Sequence, residues 1–365
     1  MSNILNRHKI GFAFWVLMCT FAFISNTKAQ MAAVAIDTNA TIVVEKNQEA
    51  ELAYNRGIGD FERKDYNAAI ASFSEALRYK PSFQKALINR ASVYTDAGNL
   101  KAAIDDYTKA IEIDSSQAKL YFKRGQLFLA LNDLTKAEKD FNSSINGGYK
   151  SAEVYYNRAM VYFRKEKFRL ALNDDSMAII LKSNYAYAFN DRGSCKRMLE
   201  DYAGAIADYK EALKIDPKLA FVYNNIGSVL RKQGDLEGAI QNYDKSLQYD
   251  STYYIAANNR GSANYDYKNY EAAVIDFKKA IKLNPNYAYA YNNMGLALMK
   301  IKMLNDAVDA FNKAISIDKQ YAQAYVNRGA AFELLRKPKE ACDDWKKAVD
   351  LGFSSAKSYL TDCEN

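Results

Sequence analysis

Three adjacent aspartate pairs, Asp105-Asp106, Asp174-Asp175 and Asp343-Asp344, are the residues best suited to proton-transfer chemistry, since two close acids can split their pKa values into an acid and a base. The usual partner for such chemistry is scarce. The 365-residue chain has one histidine, His8, near its N-terminus. Once an N-terminal leader is removed, no Ser-His-Asp or Cys-His arrangement and no histidine-containing metal site can be assembled. There is no phosphate-binding loop and no Gly-x-Ser-x-Gly elbow, and Gly57-Ile58-Gly59 matches no dinucleotide fingerprint. The three acidic pairs also recur at fixed places in a repeat, which ties them to architecture. No catalytic residue, metal ligand or cofactor is expected.

The elements that position these residues follow a 34-residue period that runs nine times without a gap from Ala50 to Ser355. Unit position 8 is glycine or alanine in every unit, from Gly57 to Gly329, and position 20 is alanine in all nine, from Ala69 to Ala341. Position 24 is aromatic in eight units, with Asp175 the exception. Small residues on two helices let the backbones approach, and the aromatic ring fills the wedge beside the contact. Pro81, Pro217 and Pro285 all fall at position 32, where proline ends a second helix. The acidic pairs sit at positions 22 to 24, on that second helix.

In its period, its small positions 8, 20 and 27, its aromatic 24 and its terminal proline, the chain resembles the tetratricopeptide repeat family over about five sixths of its length. The resemblance implies an all-α, right-handed solenoid of nine helix-turn-helix units whose first helices line a concave groove that binds proteins or peptides. A short capping helix is expected over 356–365, where Ala356, Tyr359, Leu360 and Cys363 follow helical spacing.

Residues 1–29 lie outside the repeats. Arg7, His8 and Lys9 precede an apolar run from Ile10 to Ile24, and the stretch ends Thr27-Lys28-Ala29, the pattern of a cleaved signal peptide. Export to the periplasm or the medium follows, with membrane association only if the leader stays uncleaved as an anchor. The run is short against the roughly 20 residues a span needs. Residues 30–49 match no repeat position and read as a flexible or strand-like lead-in. Cleavage removes Arg7, Lys9 and Lys28 and no acid, taking the formal charge from +7 to +4. The remaining charges alternate in sign along the helices, the pattern of a solvated face and not of a nucleic-acid footprint. No nucleic acid and no small-molecule substrate is expected as partner.

Position 7 is arginine in seven units and position 23 aspartate in six. The two units without the arginine, carrying Ile226 and Met294, also lack the aspartate, carrying Asn242 and Ala310. The first unit breaks the rule with Arg56 and Ser72, and where both residues are present the pattern predicts an Arg-to-Asp contact inside the unit, linking its two helices. Of the cysteines left after cleavage, Cys342 and Cys363 fall on the last helix and the cap, where a disulfide is open to them, and Cys195 reads as a buried apolar residue. Gly148 and Gly352 at position 31 predict early helix ends, with a point of flexure near 147–151.

Positions 2, 5, 9 and 12 form one stripe along each first helix, bordered by position 6. Position 6 is asparagine in seven units, Asn55, Asn89, Asn157, Asn225, Asn259, Asn293 and Asn327. This looks like the asparagine ladder of the O-GlcNAc transferase superhelix, which binds the backbone of extended peptides, although asparagine at this position is also common across the whole family. Units five to eight depart further, with Asn190, Asn224, Asn258 and Asn292 at position 5, and Tyr187, Phe221 and Tyr289 at position 2. Arg197 and Arg231 follow at position 12. These residues are the expected binding surface, the aromatics supplying most of the affinity or else packing against the next unit. The carboxylate clamp of chaperone-binding relatives is absent, since no unit has lysine at position 5 or asparagine at 9. The expected function is a non-enzymatic, exported scaffold or adaptor that binds a protein or peptide. The alternative is a recruiting or regulatory subunit of an envelope enzyme complex.

Overall fold

A computed structural model describes residues 38–363. The leader and residues 30–37 lie outside the described residues. Among those described there are eighteen α-helices, two for each 34-residue unit, one 3-10 helix and no strand. The chain divides into two compact units, the first ending at Asn132 and the second beginning at Asp133.

The first compact unit holds α1 (Thr38–Glu62), α2 (Tyr66–Tyr79), α3 (Gln84–Asp96), α4 (Leu100–Ile113) and α5 (Ala118–Ala130). Residues from Thr38 to Gln48, expected as a flexible or strand-like lead-in, are the opening turns of α1. The sequence has no glycine or proline between Thr38 and Asn55 to interrupt it, and helix-favouring Glu, Lys, Gln and Ala dominate from Glu45 onward.

The second compact unit holds α6 (Leu134–Asn146), α7 (Ala152–Arg164), α8 (Phe168–Leu181), α9 (Ala186–Met198), α10 (Tyr202–Ile215), α11 (Ala220–Gln233) and α12 (Leu236–Tyr249). It continues with α13 (Tyr254–Asp266), α14 (Tyr270–Leu283), α15 (Ala288–Lys300), α16 (Leu304–Ile317), α17 (Ala322–Leu334) and α18 (Pro338–Asp350). The expected C-terminal cap is present as a 3-10 helix, Ser354–Cys363. It buries Ala356 against Val326 and Ala348, stacks Tyr359 on Trp345 at 5.2 Å, and is tied to α18 by a Cys342–Cys363 disulfide.

Each unit turns at position 15, and all nine residues there are left-handed. Only Gly98 and Gly234 are glycine; the rest are Lys64, Asn132, Glu166, Glu200, Lys268, Lys302 and Arg336. Position 16 then caps the second helix. The side chains of Asp65, Asn99, Asp133, Asp201, Asp235 and Asn269 each accept from the backbone N–H three residues on. The cap offsets part of the cost of the turn before it.

The position-8 rule has a direct steric cause. A Cβ on Gly193 would sit 2.8 Å from the Tyr209 ring, and one on Gly295 would sit 2.5 Å from Phe311. Those rings, with Phe73, Phe141, Tyr243 and Phe277, are the largest fully buried side chains among the described residues, each removing about 150 to 250 Å² from water. Where the ring is tyrosine, its hydroxyl bonds a position-9 serine, as Tyr107 does Ser92 and Tyr209 does Ser194, both at 3.2 Å.

Candidate functional site

In five units the position-7 arginine and the position-23 aspartate meet as expected. Arg158 Nε and Nη2 donate to the two carboxylate oxygens of Asp174, both at 2.7 Å, and Arg90–Asp106, Arg192–Asp208 and Arg328–Asp344 have the same forked geometry. Arg260 pairs with Asp276 likewise. Sequence comparison between units missed the arginine's third nitrogen. Nη1 reaches back to position 25 of the preceding unit, Arg90 to Ser74, Arg158 to Asn142 and Arg328 to Asn312. Each arginine therefore joins three helices. Ahead of every unit from the second on that has the arginine, position 25 is Ser, Thr, Asn or Asp, whereas ahead of units six and eight, which lack it, it is Lys210 and Lys278, and that joint change is the sequence signal for the link.

The acidic pairs are thereby accounted for. Asp106, Asp174 and Asp344 take the arginines, while Asp105 and Asp343 face solvent. Asp175 alone is buried without a guanidinium.

The two rows of asparagines bond to each other. Asn190, Asn224, Asn258 and Asn292 at position 5 are 3 to 6% exposed. Each accepts on Oδ1 from the Nδ2 of the position-6 asparagine one unit on: Asn225 to Asn190 at 2.9 Å, Asn259 to Asn224 at 2.9 Å, Asn293 to Asn258 at 3.2 Å and Asn327 to Asn292 at 2.8 Å. Within a helix, weaker links of 3.4 to 3.5 Å run from Asn224, Asn258 and Asn292 to the next residue's Oδ1. Gln323 donates into one end at Asn327 (3.0 Å), and at the other Asn190 donates to the Asp191 carboxylate (2.9 Å). The result is a line of amides across five repeats in which every donor points toward Asp191. A carboxylate can only accept, so its place at the end fixes that direction. Outside this line, Asn89 donates to the Tyr54 hydroxyl at 3.0 Å and Asn157 to its own helix at Glu153 O, while Asn55 is exposed.

The position-2 aromatics are placed differently. Tyr187 is 50% and Tyr289 58% exposed. Tyr187 lies parallel to the half-buried Phe221, ring centres 5.8 Å apart, while Tyr289 touches Tyr321 at 5.1 Å and Tyr287 at 5.7 Å. They do pack along the repeats, yet two of the three keep half their surface in water. Position 2 sits in the first turn of each first helix, where the preceding turn leaves it uncovered. Ser194, Ser228 and Ser262 return their hydroxyls to Asn190 O, Asn224 O and Asn258 O. Arg231 pairs with Asp266 at 2.7 Å, both about a third exposed, and Arg197 is half-buried near Tyr209. The polar groups of the stripe are thus largely engaged with one another, and the rings of Tyr187 and Tyr289 are its exposed apolar surface.

Among the described residues no cluster of three His, Cys, Asp or Glu side chains is placed to hold a metal ion, and no helix is long and apolar enough to cross a membrane.

The sequence profile described as TPR repeat matches residues 91–132, 197–234, 227–267 and 261–302, and that described as Tetratricopeptide repeat matches 288–321. No curated protein matches the chain. Among solved structures the chain is similar to MamA, with 33% identity over 45% of this chain and 96% of that one and a TM-score of 0.41. It is also similar to a tetratricopeptide repeat protein from Parabacteroides merdae (19% identity, 69% and 99% covered, TM-score 0.56). A third is the APC/C hetero-tetramer Cut9–Hcn1 (15% identity, 86% and 75% covered, TM-score 0.56). The last two likenesses are of fold.

Proposed function

This chain belongs to the tetratricopeptide repeat family, and we propose that the first-helix stripe of units five to eight binds a protein or extended peptide, making the molecule a scaffold or adaptor without chemistry of its own. The observation that carries this reading is the exposure of Tyr187 and Tyr289 in one row with Phe221. A side chain with half its surface in water has about 100 Å² left to bury, worth roughly 2 kcal/mol at 25 cal/mol per Å². Two or three such anchors offset a large part of the association cost of about 4 to 15 kcal/mol, and main-chain contacts along the stripe must supply the rest. The asparagines, whose amides are engaged internally, hold the stripe in register, and residual contacts to Asn225, Asn259 and Asn293 orient the partner.

The leader read in residues 1–29 would send the protein out of the cytoplasm, to the periplasm or beyond. The Cys342–Cys363 bond supports that reading, because such bonds persist in oxidising compartments.

Binding of a displayed random-peptide library to the full chain, wild type beside the Tyr187→Ala/Phe221→Ala/Tyr289→Ala variant, tests the proposal. Capture of a defined peptide family by the wild type and its loss in the folded variant supports it. Equal capture by both overturns it.

A further inference from the structure

In eight units position 24 puts an aromatic ring into the wedge between the helices; in the fourth it is Asp175. The shorter side chain leaves room. A cavity of about 170 Å³ lies there, walled by Ala159, Met160 and Phe163 of α7, Asp175 of α8, and Asp191 and Ser194 of α9, with the exposed Arg164 also lining it. Asp191 is itself a departure, the one acid at position 6 among nine units. Two substitutions unique to their repeat positions therefore converge on one space.

Both acids lack the arginine that their neighbours have. Asp175 is 1% exposed, its Oδ1 has no partner, and its Oδ2 receives only the Cys195 thiol at 3.9 Å. Asp191 accepts from neutral donors, the Asn190 amide and the Tyr156 hydroxyl. Arg158 and Arg192, the adjacent position-7 guanidiniums, fork onto Asp174 and Asp208. Burial, with Asp191 and Asp174 close by, holds the Asp175 carboxyl well above its ordinary range, as expected of an acid whose counter-charge is missing.

We propose that this cavity is a socket for one basic side chain, lysine or arginine, of the bound polypeptide, its methylenes against Met160 and Phe163 and its cationic head between the carboxylates of Asp175 and Asp191. An apolar wall ending in two acids suits a side chain that is apolar along its stem and charged at its tip. The Phe163 ring adds a face that attracts a cation. Asp191 lies one helical turn from Tyr187, at i and i+4 on α9, so the socket and the first aromatic anchor share a face. The inference rests on the reading of that face as the binding surface, and it adds the chemical class of one residue in the partner.

The test uses the full chain with methyl-labelled methionine and follows the Met160 methyl resonance, assigned through Met160→Leu, during titration with Nα-acetyl-lysine methylamide, its arginine counterpart or its norleucine counterpart. A saturable shift with either cation and none with norleucine is expected. Asp175→Asn should weaken the response about tenfold or more, and Asp175→Tyr, which restores the ring its sister repeats carry, should abolish it in a folded protein. No saturable response to either cation, an equal response to norleucine, or an unaltered affinity in Asp175→Asn overturns the socket. Peptide capture through the aromatic row is measured separately, so either idea can fail while the other stands.

Discussion

Asn225 donates its side-chain N–H to the Oδ1 of Asn190 at 2.9 Å, joining two repeats through residues 35 apart in sequence. Repetition of that bond up to Asn327 places side-chain amides, and not only apolar surface, at each interface between consecutive first helices in this segment. An amide in the middle of the line is both donor and acceptor. Asn258→Ala removes the acceptor of Asn293 and the donor to Asn259 together, and should cost about 1 to 3 kcal/mol. Asn55→Ala, at an exposed position outside the line, should change little. Urea unfolding of the two variants measures the difference.

Arg158 and Asp174 should behave as a unit. Both side chains are largely buried, and burial raises the Asp174 carboxyl despite its arginine partner, so desolvation offsets much of the attraction. Asp174→Ala alone strands a guanidinium and should cost about 3 to 5 kcal/mol, whereas replacing both with apolar residues, as unit eight does with Met294 and Ala310, should cost far less. A double-mutant cycle read by denaturant unfolding checks this; additive effects would show that no contact couples them.

Asp175 should make the protein less stable as pH rises. Its folded pKa is raised by burial and then by the charges of Asp191, Asp174 and Asp208, with Arg192 opposing. Between the ordinary carboxylate range near pH 4 and that raised value, the folded state holds a proton that the unfolded state has released, so stability falls with pH and levels off above. The wild type should lose melting temperature across this window, and Asp175→Asn should flatten that part of the curve. Matching pH profiles for both proteins would contradict the assignment.

The Cys342–Cys363 bond closes a loop with a sequence separation of 21. Cys363→Ser should cost about 3 kcal/mol of local stability through the freed unfolded chain, concentrated in α18 and the 3-10 helix. Hydrogen exchange should show faster exchange there and unchanged rates in α9 to α13. Cys195, 0% exposed and with its thiol pushed up by burial, should resist alkylation until the chain is unfolded.

The helix pairs, the Gly193–Tyr209 type of contact and the Arg158–Asp174 type of pair were legible because laying nine units over one another exposes what recurs and what varies together. The reach of Arg158 to Asn142 was harder to see, since position 25 accepts through several residue types and only its change to Lys210 and Lys278 ahead of units six and eight marks the link. The pairing of Asn225 with Asn190 was not legible. An amide's identity says that it needs partners but not whether they are peptide or neighbouring repeat, and only the backbone spacing of consecutive first helices decides it. The Asp175 cavity was visible in outline, as the single gap in the aromatic column. Its second acid was hidden, because Asp191 reads as an interruption of the asparagine row until the fold sets the two side by side.

The central claim is that partners bind the aromatic row of the first helices, and one measurement tests it most directly. A peptide selected by the wild type should be titrated against the single variants Tyr187→Ala and Tyr289→Ala, and against Ile180→Ala and Ile275→Ala, which remove still more exposed apolar side chains from the second helices α8 and α14. The tyrosine variants should each bind about tenfold more weakly, corresponding to roughly 1.4 kcal/mol, while the isoleucine variants retain wild-type affinity. Full affinity in both tyrosine variants with loss in either isoleucine variant would contradict the account and move the binding surface to the second helices.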